Sequence, residues 1–255
     1  MRRSMDPQTD ASWNPRTLVA LATYNERENL PSLIEAIEAA LPLADVLVVD
    51  DNSPDGTGAW CDKHADGDPR LAVLHRAGKL GLGSATLAAF SYAAQHAYDV
   101  VCTMDADWSH PPERLPVLVA SLAGADVAVG SRYAAGGGID GWPLRRRVSS
   151  WLLNFFAVRA LRLPVKDCSG AFRAYRMRTL QGLEEHPLQA TGYAYLEEIL
   201  WRLKRRGARI VESPFTFTDR RAGASKLNVR EALAAVGLLL RLGSAEWLGV
   251  GRGRL

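Results

Sequence analysis

The sequence predicts one α/β domain built on a mostly parallel central sheet that is flanked by helices. Between residues 17 and 131, short apolar runs alternate with helical patterns, and this βα unit occurs five times. The apolar runs lack the polar alternation of a strand with one face in water, so helices should cover both faces of the sheet. At 255 residues, the chain can bury a large core without disulfides or structural metal.

The first half of the chain supplies five predicted strands and the helices between them. In the helix that follows the first strand, Leu33, Ile34, Ile37 and Leu41 share one face. The strands are predicted at 17–22, 45–50, 71–75, 99–105 and 126–131, and the helices at about 29–41, 56–65, 82–96 and 111–122.

From about residue 134 the pattern changes, and a Gly-rich link leads into one or two helices at 142–164. There, large aromatic side chains such as Trp151 and Phe155 are interleaved with five arginines. This composition is typical of an amphipathic helix in the headgroup region of an anionic membrane, and packing on the sheet is the alternative. The rest is predicted as a strand at 172–176, a helix at about 193–206, a strand pair around 209–219, a polar loop at 220–226 and an amphipathic helix at 228–242.

Charge is divided unevenly along the chain. Residues 1–139 contain 10 Lys/Arg and 18 Asp/Glu, a net −8, whereas residues 140–255 contain 21 and 10, a net +11. An acidic half can hold a divalent cation, and a basic half can face phosphates or anionic lipid. No nucleic-acid partner is expected, because the arginines alternate with leucines and no helix-turn-helix or RNA-binding motif occurs.

Cysteine usage and the N-terminus predict a cytoplasmic protein. Cys61, Cys102 and Cys168 are odd in number and lack metal-ligand spacing, as expected of idle thiols in a reducing compartment. The first residues contain prolines and aspartates where a signal peptide needs an apolar run. The longest apolar run, at 232–240, is about half the length that crosses a bilayer.

Polar residues follow the predicted strands where parallel sheets bind ligands, beyond the carboxyl ends of the strands. They are Tyr24, Glu26, Asp51, Asp105, Asp107 and Arg132. Two carboxylates one residue apart in a turn can hold one hard cation, which in turn bridges a nucleotide diphosphate. Arg132, and Arg220 with Lys226 in the polar loop, are candidates to hold phosphate charge. The histidines have no ligand spacing, and no Ser or Cys has a paired base, so triad chemistry is not predicted.

Eight short motifs occur in order between residues 17 and 242. They are ATYNERENL, VVDDNSPDGT, KLGLG, MDADWSHPPE, GSRY, GGIDGW, DCSGAFRAYR and DRRAGASKL. As a set they resemble the family 2 glycosyltransferases of the GT-A (Rossmann-like) fold, and within them the polyprenol-phosphate (dolichol-phosphate) mannosyltransferases. The resemblance implies a single catalytic domain at 17–242, between a flexible tail at 1–16 and a C-terminal tail at 243–255. Within it, 17–133 would form the nucleotide and metal half, and 134–242 the acceptor half, which faces the membrane through amphipathic interface helices.

The resemblance also implies a donor site, a metal site and an acceptor site. Donor-binding residues would be Ala22, Tyr24, Glu26, Val49, Asp51, Asp105, Ala106, Asp107, Arg132, Arg220 and Lys226. The metal, Mg²⁺ or Mn²⁺, would be held by Asp105, Asp107, Ser109 and Glu197, of which Ser109 stands where some members have Gln. Our candidates for the acceptor phosphate are Arg145, Arg146, Arg147 and Arg173, and the catalytic set is Asp105, Asp107 and Arg132.

The implied reaction transfers mannose from GDP-mannose to a polyprenyl (dolichyl-type) monophosphate with inversion. The second pKa of a phosphate monoester lies near 6, so the acceptor is largely dianionic at neutral pH and attacks without a general base. Two alternatives stay open: a UDP-sugar donor (glucose or N-acetylglucosamine), or a soluble sugar acceptor for which Glu197 or Asp140 would be the base. The implied location is peripheral, on the cytoplasmic face of a membrane, and the sequence leaves open whether a separate membrane subunit anchors the chain.

Overall fold

The computed structural model describes residues 13–183, 188–190, 192–219 and 229–248. Its strands are β1 (Thr17–Thr23), β2 (Asp45–Asp50), β3 (Leu71–His75), β4 (Val100–Asp105), β5 (Val127–Ser131), β6 (Gly138–Asp140), β7 (Arg173–Arg176), β8 (Ile210–Pro214) and β9 (Thr216–Thr218). Seven of them form one sheet in the order β3-β2-β1-β4-β7-β5-β8, and β6 and β9 form a second, two-stranded sheet. All neighbours in the large sheet are parallel except β7, which runs antiparallel to β4 and β5. The predicted mostly parallel sheet is therefore confirmed.

Helices cover both faces of the large sheet. They are α1 (Leu30–Ala40), α2 (Thr57–Ala65), α3 (Leu82–Gln95), α4 (Leu115–Ala120), α5 (Leu144–Leu161), α6 (Met177–Leu180), α7 (Tyr195–Arg205) and α8 (Val229–Trp247). Side chains alternate between two apolar cores along β1: Leu18 and Ala20 belong to one core, and Val19 and Leu21 belong to the other. This alternation explains why the strand reads as a continuous apolar run.

Several predicted boundaries differ from the structure. Two strands occur in the region predicted at 209–219, but they do not pair with each other, because β8 pairs with β5 and β9 pairs with β6. Only Phe215 separates β8 from β9, and one residue is too few for the two strands to turn back on each other. The helix predicted at 111–122 is broken into α4 and two flanking 3-10 turns, in a segment that contains three prolines. The segment 142–164 forms a single helix, and the last helix continues to Trp247 rather than ending at 242.

The strand register brings predicted site residues together at one edge of the sheet. Ala22 in β1 lies directly between Val49 in β2 and Asp105 in β4. These three positions lie at the carboxyl ends of adjacent parallel strands, where ligands bind in open α/β sheets. No described helix combines the length with the apolar composition needed to cross a bilayer.

Candidate active site

The centre of the site is the sharp turn after β4. The Asp105 side chain is 37% exposed, whereas Asp107 is almost buried and its Oδ1 accepts a hydrogen bond of 3.1 Å from the Ser109 N–H. Trp108, which follows Asp107, has a φ of 66°, a left-handed conformation that a bulky residue rarely adopts. The turn therefore has two carboxylates one residue apart at the edge of the sheet, in a backbone conformation typical of functional sites.

A buried histidine fixes the base of this turn. His110 Nδ1 accepts a hydrogen bond of 2.9 Å from the Asp105 N–H, so the proton of the neutral ring must be on Nε2. The ring stacks on Phe172 and meets the edges of Phe215 and Phe217, and burial lowers its pKa. Sequence reasoning missed this residue because it looked for metal-ligand spacing, and His110 is a hydrogen-bond acceptor for the backbone.

The two aspartates suit a metal that is shared with a phosphate ligand. No group of three or more His, Cys, Asp or Glu side chains arranged to hold a metal occurs in the part of the chain that the structure describes. Mg²⁺ is commonly held by one or two carboxylates together with substrate phosphates and water, and Asp105 with Asp107 fits that pattern. Ser109 Oγ adds a buried oxygen near Asp107 that has no hydrogen-bond partner among the residues that the structure describes. Glu197 forms no such group with the two aspartates among the described residues, and its place in the predicted ligand set stays a prediction.

The predicted nucleoside pocket contains two basic residues that the sequence analysis did not assign. Asp51 is buried, and its Oδ1 lies 3.0 Å from Arg76 Nη1. Burial raises the pKa of Asp51, and the Arg76 guanidinium opposes that rise. The Lys79 ammonium lies 4.7 Å from the centre of the Tyr24 ring. Glu26 accepts a hydrogen bond of 2.8 Å from Asn29 Nδ2. The turns after β1, β2 and β3 therefore form one charged rim.

Arg132 at the end of β5 is tightly held by a buried carboxylate. Asp167 accepts hydrogen bonds of 2.7 Å from both Nε and Nη2 of Arg132, and a third of 3.0 Å from its backbone N–H. Ser169 Oγ accepts another bond of 2.7 Å from Nη2. Sequence reasoning missed Asp167 and Ser169, although both stand in the DCSGAFRAYR motif.

The prediction that Arg173 binds the acceptor phosphate is wrong. Its side chain is fully buried, and the guanidinium donates hydrogen bonds to the carbonyl oxygens of Gly170, Leu196 and Cys168. An arginine without exposed surface, whose donors are bonded to the backbone, cannot reach a ligand. Arg173 instead connects β7 with the 167–170 segment and with α7.

The three arginines at the start of α5 have different surroundings. Arg146 Nη1 lies 3.2 Å from Asp219 Oδ2, and its guanidinium stacks on Trp142 at 3.9 Å from the ring centre. Arg147 lines an open pocket of about 300 Å³ together with Arg132 and Trp151. Arg145 is exposed. Arg220 and Lys226 lie outside the described residues.

Two adjacent glutamates in α7, Glu197 and Glu198, differ in their hydrogen-bond and ion-pair partners. Glu197 is 9% exposed, and Oε2 of its carboxylate has no hydrogen-bond partner within the described ranges. Burial raises the pKa of Glu197 to about 7. Glu198 is fully buried but ion-paired, with Oε1 at 2.6 Å from Arg202 Nη2. Glu198 is therefore structural, and the pKa of Glu197 lies in the range where its charge changes near neutral pH.

Comparisons with known proteins identify the family. The model of the family described as glycosyl transferase family 2 matches residues 18–183. The polyprenol monophosphomannose synthase of Mycolicibacterium smegmatis is 44% identical over 245 residues, which cover 94% of this chain and 89% of that protein. The undecaprenyl-phosphate mannosyltransferase of Micrococcus luteus is 42% identical over 241 residues, covering 94% and 99%.

A solved structure supports the fold independently of sequence. A mannosyltransferase from Pyrobaculum calidifontis, solved in complex with GDP-Man and Mn²⁺, superposes with a TM-score of 0.59 at 18% identity and covers 98% of this chain and 78% of its own. The two carboxylates at the sheet edge, the α/β architecture and the family match over most of the described core lead to one conclusion. The chain belongs to glycosyl transferase family 2.

Proposed function

We propose that the chain transfers mannose from GDP-mannose to a polyprenyl monophosphate and inverts the anomeric centre. A phosphate oxygen of the acceptor forms a bond to the anomeric carbon, the bond from that carbon to the diphosphate breaks, and GDP leaves with its electron pair. GDP-α-mannose would then give polyprenyl phosphate β-mannose. The observation that carries the proposal is the Asp105 and Asp107 pair beside Ala22 and Val49, in a chain whose relatives at 44% and 42% identity are named for mannosyl transfer to polyprenyl phosphates.

The donor half, 17–133, would bind the nucleotide and neutralise the leaving group. Tyr24, Glu26 and Asp51 would contact the nucleoside at the rim, and the Asp105 and Asp107 carboxylates would hold a divalent metal. That metal, Mg²⁺ or Mn²⁺, would supply positive charge to the departing diphosphate. Positioning and charge neutralisation are the main tasks of such a site, because the acceptor phosphate is already an anionic nucleophile.

The first part of the acceptor half, 134–242, forms a pocket together with Arg132 and Tyr133 at the end of the donor half, and the chemistry of this pocket suits a phosphate on an isoprenoid chain. Arg132 and Arg147 supply positive charge to the pocket, while Ile139, Val148 and Trp151 line it with apolar surface. A soluble sugar would instead need hydrogen-bonding groups and a carboxylate base. This mixture of guanidinium and apolar groups favours the lipid phosphate.

We place the reaction at the cytoplasmic face of a membrane, with the chain bound peripherally through α5 and α8. An apolar surface, which we call the α5 face, consists of exposed side chains on this helix: Leu144, Val148, Trp151, Leu152, Leu153, Phe155 and Phe156. Helix α8 packs against α5 and has exposed Leu240 and Trp247, and Arg145, Arg147 and Arg159 are on the same helix as the face. Exposed apolar area with flanking arginines favours an anionic lipid surface.

Charge on the α5 face should weaken membrane binding. We expect the double variant Trp151→Glu/Phe155→Glu to reduce binding to anionic vesicles at least about tenfold, because each large apolar side chain contributes about 1.5–3 kcal/mol when buried. The two rings stack on each other at 5.4 Å and are exposed, so the fold should tolerate their replacement. Co-sedimentation with vesicles measures the effect. Leu43 is an exposed leucine before β2, so Leu43→Glu is the control and should bind vesicles as the wild type does. An equal loss of vesicle binding in both variants would contradict the assignment of the α5 face to the membrane.

The function is tested by offering several donors and acceptors to the purified chain. Radiolabelled GDP-mannose, UDP-glucose and UDP-N-acetylglucosamine are each incubated with a short polyprenyl phosphate, or with mannose or glucose as a soluble acceptor, and with Mg²⁺ or Mn²⁺. We expect metal-dependent labelling of the lipid from GDP-mannose. Labelling only from a UDP-sugar would contradict the donor, and labelling only of the free sugar would contradict the acceptor.

A further inference from the structure

We infer that Asp167 is a positioning residue, which with Ser169 holds the Arg132 guanidinium so that Nη1 binds a phosphate oxygen of the substrate. The inference deepens the proposed function and rests on it, since it assumes that the site transfers a sugar to or from phosphate groups. Its starting point is the DCSG segment, which occurs among the sequence motifs without an assigned role.

The contacts of Asp167 all restrain one arginine. The carboxylate is fully buried and meets Nε and Nη2 of Arg132 in a two-point arrangement at 2.7 Å each. Because it also accepts the Arg132 backbone N–H, both ends of the residue are fixed to the same group. Although burial alone would raise the pKa of Asp167, the Arg132 charge and these hydrogen bonds keep it below its usual value. The pair is therefore ionised and rigid.

The same contacts leave one side of the guanidinium available. The Nε–H and the Nη2 donors are engaged by Asp167 and Ser169, and Nη1 makes no hydrogen bond within the described residues. Arg132 lines the pocket of about 300 Å³ between β6 and the start of α5, and Arg147 lies in the same pocket. An arginine that is fixed on one edge and borders a pocket on the other presents its remaining N–H groups to an anion without losing side-chain freedom on binding.

Two phosphates could occupy this position, and the chemistry of recognition is common to both. The diphosphate of the sugar nucleotide and the monophosphate of the acceptor each offer oxygens that accept from Nη1. In either case, tilting the guanidinium would misplace the reacting groups, and displacements of about 1 Å can lower rates by about 100-fold. Substitution of Asp167 is therefore expected to lower activity because it changes the orientation of the Arg132 guanidinium.

Chemical rescue tests the inference directly. Arg132→Ala should lower kcat/KM by about 100-fold or more. Guanidinium chloride at millimolar concentration should restore activity in Arg132→Ala, because the buried Asp167 carboxylate can hold the added ion. It should not restore activity in Arg132→Ala/Asp167→Asn, which lacks both charges and so leaves no unpaired buried ion. Sodium chloride at equal ionic strength is the control, and equal rescue of both variants would overturn the inference.

A variant that removes a single hydrogen bond, and no buried charge, tests the inference with less effect on folding. Ser169→Ala removes only the bond to Nη2 and should lower kcat/KM by about tenfold, the factor for one hydrogen bond to a charged group. The loss should appear as a raised KM for the sugar nucleotide if Nη1 binds the diphosphate, or for the polyprenyl phosphate if it binds the acceptor. Unchanged constants for both substrates would overturn the inference. Absence of transfer by the wild type would instead count against the proposed function, so the two failures are distinguishable.

Discussion

Asp107→Asn is expected to abolish most of the transfer activity while leaving the fold intact. The substitution removes one of two carboxylates that we assign to the metal and keeps the size and the hydrogen bond that Oδ1 accepts from Ser109. Loss of one preorganised electrostatic group at a reacting centre costs about 100- to 1,000-fold in kcat, so we expect a decrease of at least about 100-fold. Radiolabel transfer from GDP-mannose at saturating Mn²⁺ measures it.

The matched control is Asp66→Asn, an exposed aspartate between α2 and β3. This variant should transfer mannose at the wild-type rate. Isothermal titration of Mn²⁺ in the presence of GDP should show weaker metal binding for Asp107→Asn only. If Asp107→Asn retained both its metal affinity and its turnover, the assignment of the metal to this turn would be contradicted.

Arg202→Leu is expected to have the largest effect on stability. Arg202 and Glu198 form a buried ion pair, and Glu198 also accepts hydrogen bonds from the N–H groups of Gln189 and Ala190. Without Arg202, an uncompensated charge stays buried in α7, which costs about 3–5 kcal/mol of unfolding free energy. Urea denaturation followed by circular dichroism measures the change.

An exposed pair provides the comparison for that measurement. Arg178 is 68% exposed and pairs with Asp126 at 3.0 Å. Arg178→Leu should therefore change the unfolding free energy by about 0–1 kcal/mol, the range for solvated ion pairs. Similar losses in the two variants would mean that burial does not govern the strength of these pairs, and would contradict the structural role of the Glu198 and Arg202 pair.

The sheet edge was predictable because parallel strands leave a strong local signal. Each apolar run ends in polar residues, so Tyr24, Asp51 and Asp105 could be assigned to one edge. Ala22 and Val49, which the family resemblance implied, lie beside Asp105 in the register. The α/β class followed from the same alternation, and the structure confirms it. The roles of Asp105 and Asp107 themselves stay predictions, since they depend on a metal and a substrate.

The errors arose where the outcome depends on contacts between distant segments. Arg132 and Asp167 are 35 residues apart, and no local sequence pattern predicts that Asp167 accepts hydrogen bonds from Arg132. Arg173 was among the candidates for the acceptor phosphate, yet the antiparallel β7 lies inside the sheet between β4 and β5, and the Arg173 side chain is buried there. Likewise, the sequence YLEE cannot reveal that Glu198 forms the ion pair with Arg202. Nor can it reveal that its neighbour Glu197 has a buried oxygen without a hydrogen bond to any described residue. Burial and pairing of charges are tertiary properties, whereas strand ends are local ones.

The most direct test of the proposed reaction is to compare GDP release with the anomeric configuration of the lipid product. The purified chain is incubated with GDP-α-mannose, a short polyprenyl phosphate and Mn²⁺, GDP is quantified by chromatography, and the product is examined by proton and phosphorus NMR. We predict equal amounts of GDP and of β-linked mannosyl phosphodiester. An α-linked product, or GDP release accompanied by free mannose, would contradict direct displacement by the acceptor phosphate.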